Sequence, residues 1–117
     1  MIPEKYKSKR RHTWFIDLDG TILKYNLLKS AVGKDKLLPG VQELWDNIPK
    51  RDHIVLITAR PNYLRKHTIR FLEKHGLRFD DIIFNLPNGE RILVNDDKPN
   101  GTVMSYVWRV KRNQGFL

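Results

Sequence analysis

A single α/β domain, three layers deep around a mainly parallel sheet, is the fold class that the sequence predicts. Three observations lead to it. Short runs of apolar, β-branched and aromatic residues alternate with segments whose apolar residues recur at helical spacing. That alternation is the mark of βαβ units, in which the crossover helix returns the chain to the start of the next strand and so makes the strands parallel. The length of 117 residues suits one hydrophobic core and leaves no room for a second.

Taken in order, the elements are these. Segment 1–12 carries Lys5, Lys7, Lys9, Arg10 and Arg11 against Glu4, and is read as a basic N-terminal segment ahead of one domain over 13–117. Thr13-Trp14-Phe15-Ile16-Asp17 is a short apolar run that ends in Asp-x-Asp-Gly, the pattern of a buried strand entering a loop. Lys24–Lys36 has no period and reads as an excursion. Val41, Leu44, Trp45 and Ile48 form one apolar stripe over a helix, with Pro39 in its first turn and Pro49 as its end. His53–Thr58 is a second continuous apolar strand, of the kind covered on both faces. Asn62 is placed as the cap of a helix in which Leu64, Thr68, Phe71 and Leu72 share a face, with Gly76 as the left-handed stop. Asp81–Phe84 and Arg91–Asn95 are read as the third and fourth strands. After a turn at Lys98-Pro99-Asn100-Gly101 comes a last strand near Tyr106–Val110 or a short helix over Thr102–Tyr106.

Composition narrows the function classes. Lys and Arg number 22 against 13 Asp and Glu, a net charge of +9, which favours polyanionic or phosphorylated partners. With no cysteine, disulfides and thiolate metal sites are excluded, as suits a reducing compartment. No apolar stretch is long enough for a signal peptide or a membrane span, so the expectation is a soluble cytoplasmic protein that makes no membrane contact.

In an open parallel sheet the working groups gather beyond the carboxyl ends of the strands. On the strand order above, Asp17 and Asp19 follow the first strand, Thr58 and Arg60 end the second, and Asn95, Asp96 and Asp97 end the fourth. Crowded carboxylates stay ionised only beside a compensating cation, and hard oxygen ligands without His or Cys suit Mg²⁺. A metal beside a carboxylate and a hydroxyl is a place to receive a phosphoryl group.

Asp17-Leu18-Asp19-Gly20-Thr21, Leu56-Ile57-Thr58-Ala59-Arg60 and Val94-Asn95-Asp96-Asp97 resemble motifs one, two and four of the haloacid dehalogenase-like (HAD) superfamily of phosphohydrolases. The resemblance runs from about Thr13 to Arg112. It is closer to small bacterial, phage and capsule-biosynthesis-type phosphatases, through Leu38-Pro39-Gly40-Val41, Thr58-Ala59-Arg60-Pro61, Asn95-Asp96-Asp97-Lys98-Pro99 and Arg112-Asn113-Gln114-Gly115-Phe116. It implies a Rossmann-like core and Mg²⁺-dependent hydrolysis of a phosphomonoester through an aspartyl-phosphate. Asp17 matches the nucleophile and Asp19 the general acid/base. Thr58 matches the phosphate-holding hydroxyl, and Gly20, Thr21, Ala59 and Arg60 the substrate-binding positions. Asp17, Asp19, Asp96 and, more weakly, Asp97 match the metal contacts. The relatives' Gly-Lys-Pro after the third strand corresponds here to Asn85-Leu86-Pro87, so its cation must come from elsewhere. Lys98 is placed first for that role, being two residues from Asp96, ahead of Arg91 and Lys74.

Other readings are weighed beside this one. A calcium loop needs oxygen ligands across Tyr25–Lys29 that the sequence lacks, and in receiver domains the acidic groups and the Thr come in a different order. Thr58 and Arg60 are each ordinary at a strand end and a helix start, and Asp96-Asp97 could cap a turn; their joint placement favours a site. His12, His53, His67 and His75 have no metal-ligand spacing, and Trp14, Trp45 and Trp108 read as core. Neither 22–57 nor 59–95 has room for a separate cap domain, so the acidic edge is expected to be open, to a phosphorylated small molecule or a polymer end, including a nucleic-acid end. The alternative function is a non-catalytic HAD-like protein that binds a phosphorylated ligand or nucleic acid. The sequence leaves the oligomeric state open.

Overall fold

The structure, a computed structural model, describes residues 9–25 and 35–116. Lys5 and Lys7 and most of the Lys24–Lys36 excursion therefore lie outside the described residues. Three strands, β1 (Thr13–Asp17), β2 (His53–Ile57) and β3 (Asp81–Ile83), form a parallel sheet in the order β1-β2-β3. Helix α1 (Val41–Asn47) connects the first pair; a 3₁₀ turn (Asn62–Leu64) and helix α2 (Arg65–Lys74) connect the second. The result is an α/β domain. Among the described residues no helix is long and apolar enough to cross a membrane.

Each element forms where its local pattern directs. Thr13 lies opposite His53 and Asp17 opposite Ile57, so Trp14, Ile16, Ile54, Leu56 and Ile82 share one face of the sheet. They join Val41, Leu44 and Trp45 of α1 and Leu72 of α2 in one core. Gly40 begins α1 with φ 81°, a left-handed conformation, so Pro39 stands before the cap and not in the first turn. Gly76 stops α2 at φ 68°, as expected. Asn62 lies inside the 3₁₀ turn and makes no cap; Pro61 precedes that turn.

Both helices pack on the same face, so the described residues make two layers. The reason is topological. Right-handed crossovers that wind in one direction, from β1 to β2 to β3, leave every helix on one side of the sheet, and a helix on the other side requires the winding to reverse beyond β1. The segment expected to do that, Arg91–Asn95, forms no strand, and the far edge of β1 carries no strand among the described residues. Phe15, on the face opposite the core, is accordingly 57% exposed, and Ile92 and Val94 are 86% and 91% exposed. Arg91 reaches Asp17, which places the beginning of the segment beside the end of β1, where a parallel neighbour would have its own end. The Lys98–Gly101 turn is present, closed by Gly101 N–H donating to Lys98 O at 2.8 Å. Neither the strand at Tyr106–Val110 nor the helix at Thr102–Tyr106 forms.

Chain segments far apart in sequence fix the loop after β1. Leu18, Ile22 and Leu23 are fully buried and pin the loop to the core. The Leu18 carbonyl accepts from the N–H groups of Thr21, Ile22 and Leu23. Antiparallel bonds from Lys24 N–H to Lys36 O and from Leu38 N–H to Ile22 O zip together the two ends of the excursion.

Candidate active site

Because Leu18 turns inward, its neighbours Asp17 and Asp19 are both half-buried on the other side of the loop, at the carboxyl end of β1. Thr21 Oγ1 donates to Asp17 Oδ2 at 3.1 Å, which orients the carboxylate. Arg91 Nη1 lies 3.5 Å from the other oxygen, Oδ1. Burial pushes the Asp17 pKa up from 3.8. The Arg91 charge, the Thr21 hydroxyl and the Leu18 N–H pull it down, Asp19 pushes it up again, and the balance is a raised value.

Asp19 is held differently. Arg60 Nε and Nη2 donate to its two oxygens at 2.9 and 2.8 Å, a bidentate pair. The same guanidinium binds Asp35 at 2.7 and 3.1 Å and Thr68 Oγ1 at 2.8 Å. His67 Nε2 stands 3.5 Å from Asp35 Oδ2. Burial alone would lower the Arg60 pKa, but the hydrogen bonds to Asp19 and Asp35, together with their charges, outweigh it and leave it raised. Arg60, expected at the substrate, is thus committed to two carboxylates and a hydroxyl.

Backbone geometry sets the second strand end. Thr58 N–H donates to Ile83 O, Asn85 N–H to Arg60 O and Leu86 N–H to Thr58 O, so the loop after β3 props Thr58-Ala59-Arg60. Asn85 does this in a left-handed conformation, φ 63°. Thr58 is buried, and its Oγ1 accepts the Arg60 N–H at 3.0 Å. A hydroxyl that accepts one bond still has its own proton to donate. Ala59 is half-buried between them.

Gly20 is required twice over. Its φ is 88°, and a Cβ there would stand 3.1 Å from Arg112 Cγ. The C-terminal segment packs against this loop. Asn113 N–H donates to Gly20 O at 2.8 Å, and the Asn113 side chain accepts from Tyr25 N–H and donates to Tyr25 O. The Arg112 guanidinium lies 4.3 Å from the centre of the Tyr25 ring.

The structure thus assembles Asp17, Asp19, Gly20, Thr21, Thr58, Ala59 and Arg60, but it does not bring the fourth-strand residues to them. Asp96 and Asp97 are exposed, and Asp97 Oδ1 accepts the Met104 N–H at 3.2 Å, a local turn contact. Lys98 is exposed, and its backbone N–H donates to Thr102 O. Arg91, ranked behind Lys98 from the sequence, is the cation beside Asp17. Among the described residues no group of three or more His, Cys, Asp or Glu is placed to hold a metal. The charge compensation argued for the acidic edge comes here from Arg91 and Arg60. Sequence reasoning missed Asp35 and His67, which are distant from the motifs and carry no local signal; Asn113 stood in the C-terminal motif without a role. Comparison with protein-family models, with curated proteins and with solved structures finds no match to this chain.

Proposed function

We propose that the protein hydrolyses phosphomonoesters with Asp17 as nucleophile, as a phosphatase resembling the HAD superfamily. The observation that carries the reading is the Asp17 carboxylate at the end of β1, oriented by the Thr21 hydroxyl and facing Arg91, with Asp19 two residues on and also half-buried. An Asp17 oxygen attacks phosphorus and the bond to the leaving oxygen breaks; Arg91 offsets the charge of the incoming phosphate. The leaving oxygen takes a proton from Asp19 or, when it belongs to a good leaving group, departs without one. Water then attacks the aspartyl-phosphate, Asp19 takes its proton, and phosphate is released. Asp19 must loosen from Arg60 to act as an acid, because a carboxylate in a bidentate pair holds no proton to give.

Mg²⁺ belongs to the proposal through the motif resemblance, with Asp17, Asp19, Asp96 and, more weakly, Asp97 as its ligands; no cluster of three acidic or imidazole side chains is placed to hold a metal among the described residues, and no step here is routed through the metal. The full three-layer Rossmann-like core belongs to it as well, and requires Arg91–Asn95 to pair with the open edge of β1. The proposed location is the cytoplasm, in keeping with a chain without cysteine. A second reading, a non-catalytic binder of phosphorylated ligands, draws support from the Arg60 clamp on Asp19. Release of phosphate from an aryl phosphate, with Mg²⁺ and with a chelator, separates the two. Turnover that Asp17→Asn abolishes upholds the enzyme, and no turnover under either condition upholds the binder.

A further inference from the structure

Behind the Gly20 loop the C-terminal segment forms a cleft of about 350 Å³ that the proposed chemistry does not use. Trp108 and Phe116 line it, in an edge-to-face pair with ring centroids 5.4 Å apart and planes at 79°. Both pack against the hydrophobic core, so they are a fixed aromatic surface and not mobile side chains. Arg109, Lys111 and Gln114, all exposed, complete the lining. Two cations and an amide beside aromatic rings form a combination for a ligand that is anionic and flat.

Two observations extend this surface. Arg10 Nη1 donates to Met104 Sδ at 3.3 Å, which brings Arg10, with the exposed Lys9 before it, onto the same C-terminal segment, while Arg11 Nε donates to Arg51 O. At the other end, Arg112 over Tyr25 and Asn113 on Gly20 connect the cleft to the loop that follows Asp17. Tyr106 and Val107, between Met104 and the cleft, are exposed. Cations spaced along a strip with aromatic groups among them match a chain of phosphates bearing bases. A net charge of +9 favours such a partner over a second copy of the same chain.

We infer that this strip, from Lys9 and Arg10 through Met104 to the cleft of Trp108, Arg109, Lys111 and Gln114, binds single-stranded nucleic acid. Phosphates lie against Arg109, Lys111 and the N-terminal cations, and a base enters the cleft. That a strand end would then approach Asp17 rests on the proposed phosphatase reading; the binding itself does not.

The test reads binding without turnover. Fluorescence anisotropy is measured with a labelled oligothymidine of about 12 nucleotides, within the usual span of such sites, lacking a terminal phosphate and in EDTA. Each phosphate contact to a single strand contributes about 0.7 to the slope of log affinity against log salt. Loss of two contacts in Arg109→Ala/Lys111→Ala therefore removes about a 7-fold share of the affinity lost between about 50 and 200 mM salt. Both residues are exposed, and circular dichroism verifies the fold of the variant. An abasic oligomer of equal length should bind at least about 5-fold more weakly, the lower end of base–aromatic stacking. Salt-insensitive binding, parallel salt slopes for wild type and variant, or equal binding of the abasic chain would each overturn the inference, the last by making the strip a site for acidic polymers in general. An active phosphatase that binds no oligomer loses this inference alone, and a nucleic-acid binder without phosphatase activity retains it.

Discussion

Arg60→Ala isolates the group on which the acidic edge depends most. The guanidinium is 11% exposed and makes five hydrogen bonds, two to Asp19, two to Asp35 and one to Thr68. Asp35 is 14% exposed, so removal of the cation leaves it, and beside it Asp19, as carboxylates with little water to replace the lost bonds. Breaking a buried ion pair by deleting one partner costs about 3–5 kcal/mol. A domain of this size is stable by about 5–15 kcal/mol in all, so the loss is a large share of it. At about 4 °C per kcal/mol, the melting temperature should fall by about 12–20 °C. The raised pKa of Arg60 has no bearing on this at ordinary pH: the stability it contributes is complete below the ordinary arginine pKa and is lost only as pH rises through the still higher folded value, far above neutrality. The assay is thermal unfolding at neutral pH for Arg60→Ala, Asp35→Asn and the double variant. Asp35→Asn alone leaves Arg60 its pair with Asp19 and should cost less than Arg60→Ala. In the double variant one orphaned charge is gone, so the effects should fall short of additive by about 0.5–3 kcal/mol. A drop of under about 4 °C for Arg60→Ala, equivalent to 1 kcal/mol, or strict additivity would refute the view of Arg60 as the clamp.

Four further outcomes follow from the same geometry. Asp17→Asn should lower phosphatase turnover by about 10⁴ or more, yet raise the melting temperature at neutral pH. Burial lifts the folded Asp17 pKa, so the stability tied to its proton is complete below 3.8 and is lost as pH rises through the folded value; the two melting curves should converge in acid, and an Asn variant less stable than wild type at pH 7 would contradict this. For the same reason the acid limb of the rate profile should lie above 3.8. Arg91→Ala should cut turnover by about 10²-fold, as for loss of one charge-stabilising donor, and Lys98→Ala should leave it near wild type; the reverse order in a phosphate-release assay would return the role to Lys98. Gly115→Ala should be destabilised by at least about 1–3 kcal/mol, because Gly115 has φ 72° and a Cβ would collide with the Pro39 carbonyl that anchors Phe116 N–H. Unchanged denaturant unfolding in that variant would mean that the C-terminal segment is not docked on Pro39.

What was legible in the sequence divides by the range of the interaction. The five regular elements follow from local patterns: continuous apolar runs for β1, β2 and β3, an i, i+3, i+4 stripe for α1 and Gly76 after α2. The Asp17-Asp19-Thr21 arrangement was legible for the same reason, since Thr21 reaches Asp17 across four residues and Gly20 makes the turn. Arg60 was visible as a site residue but not in its role, because its partners Asp19 and Asp35 lie 41 and 25 residues away and no spacing rule connects them. Ile92, Leu93 and Val94 show where such a reading fails. Their residue types suit a strand, but β propensity expresses a fit to a half-buried pleated surface, and whether that surface is offered depends on the free edge of β1. The ranking of Lys98 over Arg91 rests on the same strand, because it takes Asp96 to arrive at Asp17 and bring its neighbours along. With the strand unformed, the nearest cation is set by a contact across 74 residues. The expected third layer, the expected metal ligands and the expected lysine therefore all depend on one unpaired segment, whereas Asp17, Thr21, Asp19 and Arg60 are placed by elements that form independently of it.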